Sequence, residues 1–467
     1  MKRQKLTPTE FLYGLCFALC FFAFMLTEAF INQCCAVILG SGAVNPVYTF
    51  GLVCTGLGFL SFSLLRRLCK KEKSRKTAQI IIGVLCLGTA MVLLFADHPA
   101  LFLTSSAAAL LLTGHISGCV YYNTAMYFAA SRYTGRLIGT GMGAAILLQF
   151  VVQNFMPQSV AFIISILFSV AFVMYFVITA PKDWILENPL PYSSDAKKDF
   201  KKALLLIVAV VLMSLVAGMI DSVLTTFNAE KSYDIYGGVR LFYALGLILA
   251  GWIADIRERK YLPLSTVCTI LLSSVCMFFL SDKVSYFAGT ALTYLYSGFY
   301  VIFFTVMFLD FAPKSSRPEL WAGMGRIVRS ITVAATVLPA LTVYDAVGNT
   351  VLAVVSCLLS ILILPVLLPY LSNAAVSLKA TEKLTSESPT LSPQERMNLY
   401  AQHCSLTPRE TEVLEKLLTT EDGVQEIADN LYISRRMLQR YIASIYEKTE
   451  TKTRLGLFQS YMNFTAE

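Results

Sequence analysis

The stretch LTPRETEVLEKLLTTEDGVQEIADNLYISRRMLQRYIASIYEKTETKTR, residues 406–454, carries the most specific pattern in the chain. Thr407 with Glu410 three residues later is the signature of a capping box, which begins a first helix. A second helix is predicted over about residues 424–431. Ser434 is a good N-cap for a third. The stretch therefore predicts two short helices followed by a longer basic one.

Apolar residues fall on one side of each predicted helix, at the spacing of a buried face. The inward residues are predicted to be Val413, Leu414, Leu417, Leu418, Ile427, Ala428, Leu431, Leu438, Tyr441, Ile442 and Ile445. The third helix then keeps an outward row of polar residues: Arg435, Arg436, Gln439 and Arg440. Ser444 is a further candidate for that side of the helix. Arginine reaches guanine edges or phosphates and glutamine reads adenine, so this arrangement predicts a helix-turn-helix with its last helix in the DNA major groove.

The segment resembles the LuxR-type helix-turn-helix of bacterial transcription regulators. The matching elements are Leu406, Thr407, Arg409, Glu410, Glu412, Val413, Leu414, Glu426, Ile427, Ala428, Leu431, Ile433, Ser434, Ile445, Lys448 and Arg454. The resemblance implies DNA binding. It also implies that the last helix, whose apolar face holds Leu455, Leu457, Phe458 and Met462, supports dimerisation; packing within the domain explains that face equally well.

Charge within the segment favours the same orientation. Residues 406–434 carry two basic against seven acidic residues, whereas residues 435–454 carry six basic against two acidic. DNA is therefore predicted to meet the second half. The alternative is a small helical bundle with a solvated basic helix. The predicted DNA-binding residues are Ser434, Arg435, Arg436, Gln439, Arg440, Lys448, Lys452 and Arg454.

The rest of the chain is far more apolar. Of 467 residues, 56% are hydrophobic and only 15% are charged, and the mean hydropathy is +0.63. This composition excludes an ordinary soluble protein and predicts a chain that lies largely in a lipid bilayer. The net charge of +8 does not itself indicate nucleic acid, because basic loops beside membrane spans produce the same total.

Twelve apolar segments are long enough to cross a bilayer, which takes about 20 residues each. No cleavable signal peptide is evident, because the first apolar run continues beyond the length of a signal-peptide core. The predicted spans are approximately residues 10–31, 45–68, 77–96, 100–130, 136–156, 159–180, 203–226, 236–256, 261–280, 284–311, 321–344 and 348–371.

Lysine and arginine are distributed unevenly among the loops that join these spans. The N-terminus and the even-numbered loops hold most of them, including seven within residues 66–76, whereas the odd-numbered loops hold only Lys231 and Lys283. Basic loops stay in the cytoplasm, so both termini are predicted to be cytoplasmic in a multi-pass protein of the inner membrane. The helix-turn-helix then lies on the side of the membrane where DNA is.

The spans divide into six plus six around a long basic connection, residues 181–202. Two six-helix halves around a central cavity are the plan of the major facilitator superfamily. The loop GWIADIRERK, residues 251–260, resembles that superfamily's G-x-L-A-D-R-x-G-R-R signature, with Glu258 in place of its second glycine. The corresponding loop after span two is basic but lacks the pattern. The alternative is an ordinary cytoplasmic helix end, where aspartate is also followed by basic residues.

Charged residues inside the spans mark candidate ligand positions, because burying them in lipid is costly. Glu28 and Asp221 occupy matching positions in the two halves, which suits a cavity for a cation or an amine. The alternative for each charged residue is structural, either an interhelical ion pair such as Asp221 with Arg240 or a side chain that reaches the interface. The predicted ligand-binding residues are Glu28, Asp221, Arg240, Arg326 and Gln149.

Neither metal nor catalytic chemistry is indicated. Most of the twelve cysteines lie within predicted spans, where a thiol is a small apolar side chain. The sequence contains no phosphate-binding loop, no H-E-x-x-H motif and no catalytic-triad context. It therefore predicts no metal, no cofactor and no enzymatic activity.

Three regions are predicted: a membrane domain over residues 1–371, a linker over residues 372–404 and a DNA-binding domain over residues 405–467. The linker is rich in serine and threonine, which is typical of a flexible tether. The predicted fold is all-α, with a twelve-helix transmembrane bundle of the major facilitator type and a small LuxR-type helix-turn-helix domain.

This combination predicts a membrane-anchored one-component transcription regulator. The bundle is expected to bind a small molecule and to control DNA binding by the C-terminal domain. The predicted partners are promoter DNA, that small molecule, the lipid bilayer and a second copy of the chain. One alternative is a secondary transporter with a regulatory C-terminal domain. Another is a helix-turn-helix that recruits protein partners instead of DNA.

Overall fold

A computed structural model describes residues 8–69, 71–128, 133–179, 196–229, 234–256, 259–279, 283–386, 393–420, 422–451 and 453–464. The chain divides into two compact units, Met1–Ala374 and Ala375–Glu467. The regular elements in the described ranges are all helices. The larger unit holds the apolar segments, and the smaller unit holds the predicted helix-turn-helix.

Twelve helices, α1 to α12, match the twelve predicted spans one for one. Within the described residues nine helices are long and apolar enough to cross a bilayer, and three shorter apolar stretches complete the set: Phe162–Val177, Arg240–Ala254 and Tyr261–Cys276. The helices are α1 Pro8–Ile38, α2 Val44–Leu68, α3 Glu72–Leu94, α4 Pro99–Tyr127, α5 Thr134–Phe155, α6 Gln158–Thr179, α7 Ala196–Ala229, α8 Arg240–Ala254, α9 Tyr261–Cys276, α10 Lys283–Phe311, α11 Pro318–Val347 and α12 Asn349–Ser386.

The beginning of the predicted linker is helical. Helix α12 continues from its apolar part to Ser386, so residues 372–386 differ from the flexible tether that their composition predicts. The segment SNAAVSLKATEKLTS contains alanine, leucine, lysine and glutamate, which are strong helix formers. Residues 387–392 lie outside the described residues.

Glycine brings α5 of the first half into backbone contact with α8 of the second. A Cβ added to Gly251 of α8 would lie 2.5 Å from the carbonyl oxygen of Gly135 and 2.8 Å from the Cα of Gly139. The reverse contact is as close, since a Cβ on Gly139 would lie 2.6 Å from the carbonyl oxygen of Leu247. Small residues let membrane helices approach closely and gain van der Waals contact. This pair of helices therefore joins the two halves.

Asp255, in the predicted signature loop, also links α5 and α8 through hydrogen bonds. Asp255 follows α8, and its two carboxylate oxygens accept the backbone N–H groups of Gly135 at 2.8 Å and Arg136 at 2.7 Å. Those groups belong to the first turn of α5, where free N–H groups and the helix dipole favour a negative charge. Arg259 pairs with Asp255 and donates from Nε to Oδ2 of Asp310 at 2.7 Å. Residues 257–258 of the loop lie outside the described residues.

The two halves also meet through α2. Arg67 near the end of α2 pairs with Glu319 at the start of α11, with 3.0 Å between Nε and Oε1. At the opposite end, Asn45 at the start of α2 donates to the hydroxyl of Thr226 near the end of α7 at 2.7 Å. The two halves therefore contact each other near both ends of α2.

The smaller unit has its own core. Its helices are α13 Pro393–His403, α14 Pro408–Thr419, α15 Val424–Asn430, α16 Arg435–Lys448 and α17 Arg454–Asn463. Every inward residue that the sequence predicts in this unit is buried in that core or packs against it. Residues of α13 and α17 complete the core: Met397, Tyr400 and Leu457.

The predicted helix starts are confirmed. The hydroxyl of Thr407 accepts the N–H of Glu410 at 3.3 Å, and the Glu410 carboxylate accepts the N–H of Thr407 at 2.7 Å, which completes the capping box. Ser434 accepts the N–H of Met437 at 3.3 Å and caps α16. These bonds satisfy amide groups that have no partner within their own helix.

We expect Gly251→Val to destabilise the bundle, because the new side chain would overlap backbone atoms of Gly135 and Gly139. Overpacking of this kind costs about 1–3 kcal/mol. The melting temperature of the detergent-solubilised protein should therefore fall. Gly88→Val in α3 is the matched control, since a Cβ at that position meets no atom within 4 Å. Equal melting temperatures for the two variants would contradict a close α5–α8 contact.

Candidate nucleic-acid interface and ligand cavity

Helix α16 is anchored on one side and open on the other. Leu438 and Ile445 are fully buried. The predicted outward row is exposed, and its side chains form no hydrogen bond or ion pair within the described part of the domain: Arg435, Arg436, Gln439 and Arg440. Three guanidinium groups and one amide are therefore available to bases and phosphates.

The turn that leads into α16 adds a residue that the sequence reasoning missed. Tyr432 lies between α15 and α16, has a φ of 52° and is 96% exposed. An aromatic side chain fully in solvent beside the open face of α16 is a further candidate for contact with the DNA backbone. Its position in a turn was the only signal available in the sequence. Ser434, also in the predicted set, is exposed at the start of α16.

Glu410 ties the base of α16 to α14. The residue is only 4% exposed. Its carboxylate accepts hydrogen bonds from Lys448 Nζ at 2.7 Å and from Ser444 Oγ at 2.5 Å, as well as those from Thr407. Burial alone would raise the pKa of Glu410, but the bonds from Lys448, Ser444 and Thr407 outweigh it and lower the pKa to about 2. The charge of Lys448 is thus matched inside the domain.

Arg454 is also occupied inside the domain. Its guanidinium donates to the carbonyl oxygens of Leu417 at 2.8 Å and Asp422 at 2.8 Å, and to that of Thr420. These carbonyls lie at and just beyond the C-terminal end of α14, where they have no partner within the helix. Arg454 therefore positions α17 against α14. Lys452, the remaining residue of the predicted set, lies outside the described residues.

We expect Glu410→Gln to lower the free energy of unfolding of the smaller unit by about 1–3 kcal/mol at pH 7. The folded state holds the pKa of Glu410 near 2, below its usual 4.5, so the charge stabilises the fold above pH 4.5. This contribution is lost as the pH falls toward 2. Urea unfolding of residues 375–467 at several pH values measures the effect.

The control for this measurement is Glu412→Gln. Glu412 is half exposed and pairs with the equally exposed Arg409 of the same helix, so its loss should cost less than about 0.5 kcal/mol. The difference between wild type and Glu410→Gln should shrink below pH 4.5. A difference that is constant with pH would show that the Glu410 charge has no part in stability.

In the bundle, Asp221 of α7 is matched by residues of two other helices. Its Oδ2 lies 3.6 Å from Nη2 of Arg329 in α11 and accepts a hydrogen bond from the hydroxyl of Tyr48 in α2 at 3.0 Å. The ion pair of Asp221 thus forms with Arg329 and not with Arg240, the pairing considered from the sequence. Neither Arg329 nor Tyr48 belongs to the predicted set, because no sequence pattern joins residues so far apart in the chain.

Arg240 is buried among aromatic rings and has no carboxylate partner within the described residues. It is 7% exposed, and its guanidinium carbon lies 4.9 Å from the ring centre of Tyr236 and 5.3 Å from that of Tyr294. The Nε of Arg240 is buried and makes no hydrogen bond there. Aromatic faces attract a cation, but they offset only part of the cost of removing it from water.

Arg326 has a similar environment. It is 5% exposed, lies 5.3 Å from the ring centres of Phe21 and Phe304, and donates from Nε to the hydroxyl of Tyr121 at 3.2 Å. Its Nη2 is buried and unpaired among the described residues. A second guanidinium of the predicted set is therefore left with unused donors at mid-bundle.

Glu28 of α1 lines a small cavity between α1 and α2. Counted together with its opening to solvent, the cavity has a volume of about 230 Å³, and Asn32, Tyr48 and Thr55 also line it. Glu28 is half-buried and forms no hydrogen bond or ion pair within the described residues. Nearby, Gln149 of α5 donates to the carbonyl oxygen of Met25 at 3.1 Å, and its own side-chain oxygen is buried without a partner.

The buried charged residues of the bundle form a central cluster whose charges do not balance: Glu28, Asp221, Arg240, Arg326 and Arg329. Asp221 and Arg329 form an ion pair, so one carboxylate, that of Glu28, remains for the two guanidinium groups of Arg240 and Arg326. An excess of buried guanidinium groups with free donors suits a molecule that carries a carboxylate or a phosphate. The described residues contain no group of three or more His, Cys, Asp or Glu that could hold a metal ion.

Comparison with known proteins assigns the two units to different classes. Residues 404–460 match the profile of the family described as "Bacterial regulatory proteins, luxR family" (GerE). No curated protein sequence matches the chain. Solved structures with a similar fold include the human organic anion transporter MFSD10 (TETRAN), at 14% identity and a TM-score of 0.57, covering 78% of this chain and 100% of that one. Another is an auto-inhibited POT family peptide transporter, at 10% identity and a TM-score of 0.53, covering 78% and 96%.

At these identities the similarity of the bundle concerns the fold alone. The larger unit is a multi-pass membrane bundle with the fold of major facilitator transporters. The smaller unit is a LuxR-type helix-turn-helix domain. The predicted fold class is thereby confirmed. Domains of the luxR family bind DNA and often dimerise, and the two classes are generally not enzymes.

Proposed function

We propose that this protein is a membrane-anchored one-component transcription regulator. The observation that carries the proposal is the exposed row of unpaired side chains on α16: Arg435, Arg436, Gln439 and Arg440. This row belongs to the same chain as a transporter-like bundle, so a ligand and DNA can act on one molecule without a messenger protein. The distribution of basic loops supports an inner-membrane protein with both termini in the cytoplasm.

The basic residues of the smaller unit divide between two tasks in this proposal. The exposed row on α16 contacts bases and phosphates, and Ser434 and Tyr432 lie at the start of that contact. Lys448 and Arg454 hold α16 and α17 against α14 through their bonds to Glu410 and to the end of α14. Lys448 and Arg454 therefore serve mainly to position the DNA-binding side of α16, and only secondarily to contact DNA. Lys452 stays a predicted phosphate contact.

The bundle, in this proposal, binds a small molecule that carries an anionic group. Arg240 and Arg326 supply the unused donors, and Glu28 can accept an ammonium group if the molecule is a zwitterion. The bare cation or amine that Glu28 and Asp221 suggest by themselves is less suitable, because Asp221 is already paired. A ligand that favours one arrangement of the halves by about 1–3 kcal/mol changes the output about five- to 150-fold.

A second copy of the chain is the proposed partner on DNA, through α17. Leu457 is fully buried inside the domain, whereas Phe458 is 43% exposed. The proposal of a dimer contact therefore rests on Phe458. The side chains of Leu455 and Met462, also in the predicted apolar face, lie outside the described residues. Two copies would place their α16 helices in successive major grooves of a palindromic site.

We expect Arg435→Ala/Arg436→Ala/Arg440→Ala to weaken DNA binding about tenfold or more at low salt, because three free guanidinium groups are lost. The purified full chain is titrated with a mixed-sequence duplex at several salt concentrations. The slope of log K against log salt should fall by up to about 3. Arg409→Ala is the control, since Arg409 is exposed but pairs with Glu412 away from α16. Equal binding by the triple variant and the control would contradict the proposed interface.

The same triple variant decides whether DNA binding is the function in cells. A strain that lacks the gene is complemented with the wild-type or the triple-variant protein, and transcripts are compared. We expect the variant to reach the membrane and yet fail to restore a small set of transcripts. If it restores all of them, the regulator proposal is wrong.

We expect Arg240→Gln and Arg326→Gln to leave binding of the mixed-sequence duplex unchanged but to fix the regulated transcripts at one level. These residues lie in the bundle, so the loss of ligand affinity removes the response and not the DNA contact. Transcripts are measured across growth conditions that change them in the wild type. Lys314→Gln, at an exposed position after α10, is the control. A normal response in both cavity variants would exclude this cluster as the ligand site.

Transport is the second candidate function, favoured by a complete twelve-helix bundle with the fold of solved transporters. Transport and regulation predict different results for the variants described above. Transport requires that the triple variant restore every transcript, while Arg240→Gln and Arg326→Gln remove uptake of small organic anions.

A further inference from the structure

A second cavity lies away from the central cluster, at one end of the first half. Counted together with its opening to solvent, its volume is about 550 Å³, and its walls come from α2, α3, α4 and α6. Three basic residues line it: Arg66 at the end of α2, and Arg75 and Lys76 at the start of α3. None of its lining residues is acidic. A cavity that is lined by basic residues and by no acidic residue is suited to bind an anion.

Both arginines are positioned by neutral groups, and Arg75 keeps a buried donor free. Arg66 lies 4.1 Å from the ring centre of Tyr122 and donates to its hydroxyl at 2.7 Å. Arg75 donates from Nε to the carbonyl oxygen of Cys69 at 2.6 Å, while its Nη1 is buried without a partner among the described residues. The nearby carboxylate of Glu319 is engaged by Arg67 at 3.0 Å. The guanidinium groups are thus held in place by neutral partners, and neither forms an ion pair within the described residues.

The rest of the cavity wall is apolar. Phe62 and Leu65 of α2 and Val177 of α6 line it beside the basic end. A bare phosphate ion would leave this apolar surface unfilled. The lining therefore suits an amphiphile, with a phosphate near Arg66 and Arg75 and an apolar portion along α2 and α6.

We propose that this cavity binds the phosphate of an acidic amphiphile, and that an acidic phospholipid of the surrounding bilayer supplies it. The cavity lies where α2 ends and α3 begins, and the ends of membrane-spanning helices lie close to lipid headgroups. Basic pockets between membrane helices on the cytoplasmic side are suited to such headgroups. The site is independent of the DNA-binding surface and of the central cluster. It adjoins Arg67, whose pair with Glu319 joins the two halves, so a bound lipid lies next to that contact.

Native mass spectrometry of the purified full chain tests the proposal. The protein is freed of lipid in neutral detergent and then titrated with phosphatidylglycerol, with zwitterionic phosphatidylcholine or with water-soluble glycerol 3-phosphate. We expect phosphatidylglycerol to be retained about tenfold better than phosphatidylcholine, because the latter lacks net charge. Binding of glycerol 3-phosphate as tight as that of phosphatidylglycerol would support the anion site but assign it to a soluble phosphate compound. Equal retention of the two lipids overturns the proposal.

Variants of the two arginines locate the site. Arg75→Gln and Arg66→Gln should each reduce retention of phosphatidylglycerol about tenfold, as expected for loss of one charge-assisted contact. Lys73→Gln is the matched control, because Lys73 is exposed in the same basic segment but does not line the cavity. If Arg66→Gln unfolds through loss of its Tyr122 contact, Arg75→Gln still decides the question. Equal effects of Arg75→Gln and Lys73→Gln would assign the binding to general surface charge and refute the site.

Discussion

An ion buried between apolar helices costs several kcal/mol unless an opposite charge or a set of hydrogen bonds replaces the water it has lost. In the bundle, Asp255 meets this requirement with two amide groups and Arg259, and Asp221 meets it with Arg329 and Tyr48. Arg240 and Arg326 do not: within the described residues Arg240 contacts aromatic rings, and Arg326 contacts aromatic rings and the hydroxyl of Tyr121. The carboxylates with full sets of partners stabilise the fold, and the unused donors of Arg240 and Arg326 are available to a ligand.

The same requirement shapes the DNA-binding unit. Glu410 is buried beneath α16, and its partners are Lys448 and Ser444 of α16 and Thr407 at the start of α14. Together with Arg454 at the end of α14, it fixes the base of the helix so that the opposite side stays open. The basic residues of the domain are thus of two kinds. Some, such as Lys448 and Arg454, bind groups within the domain, and those exposed on α16 are available to phosphate.

The two halves of the bundle are joined by a few polar contacts at each end, next to glycine-mediated helix packing. Contacts of this kind are individually weak and can exchange when the halves move. A charged ligand of the proposed kind would contact residues of both halves, because Glu28 lies in the first and Arg240 and Arg326 in the second. It can therefore shift the balance between arrangements by the small free energy that regulation needs.

Sequence patterns were sufficient to predict the helical class, the twelve apolar helices, the capped starts of α14 and α16 and the outward row on α16. These follow from local patterns: the length of apolar runs, helical periodicity, and N-cap residues that bond to amides three positions on. Tertiary structure alone decided that Asp221 pairs with Arg329, that Lys448 and Arg454 are consumed inside the domain, and that Arg66 and Arg75 share a cavity. Each of those facts joins residues far apart in the chain, and helix packing, which no local pattern encodes, sets which of them meet.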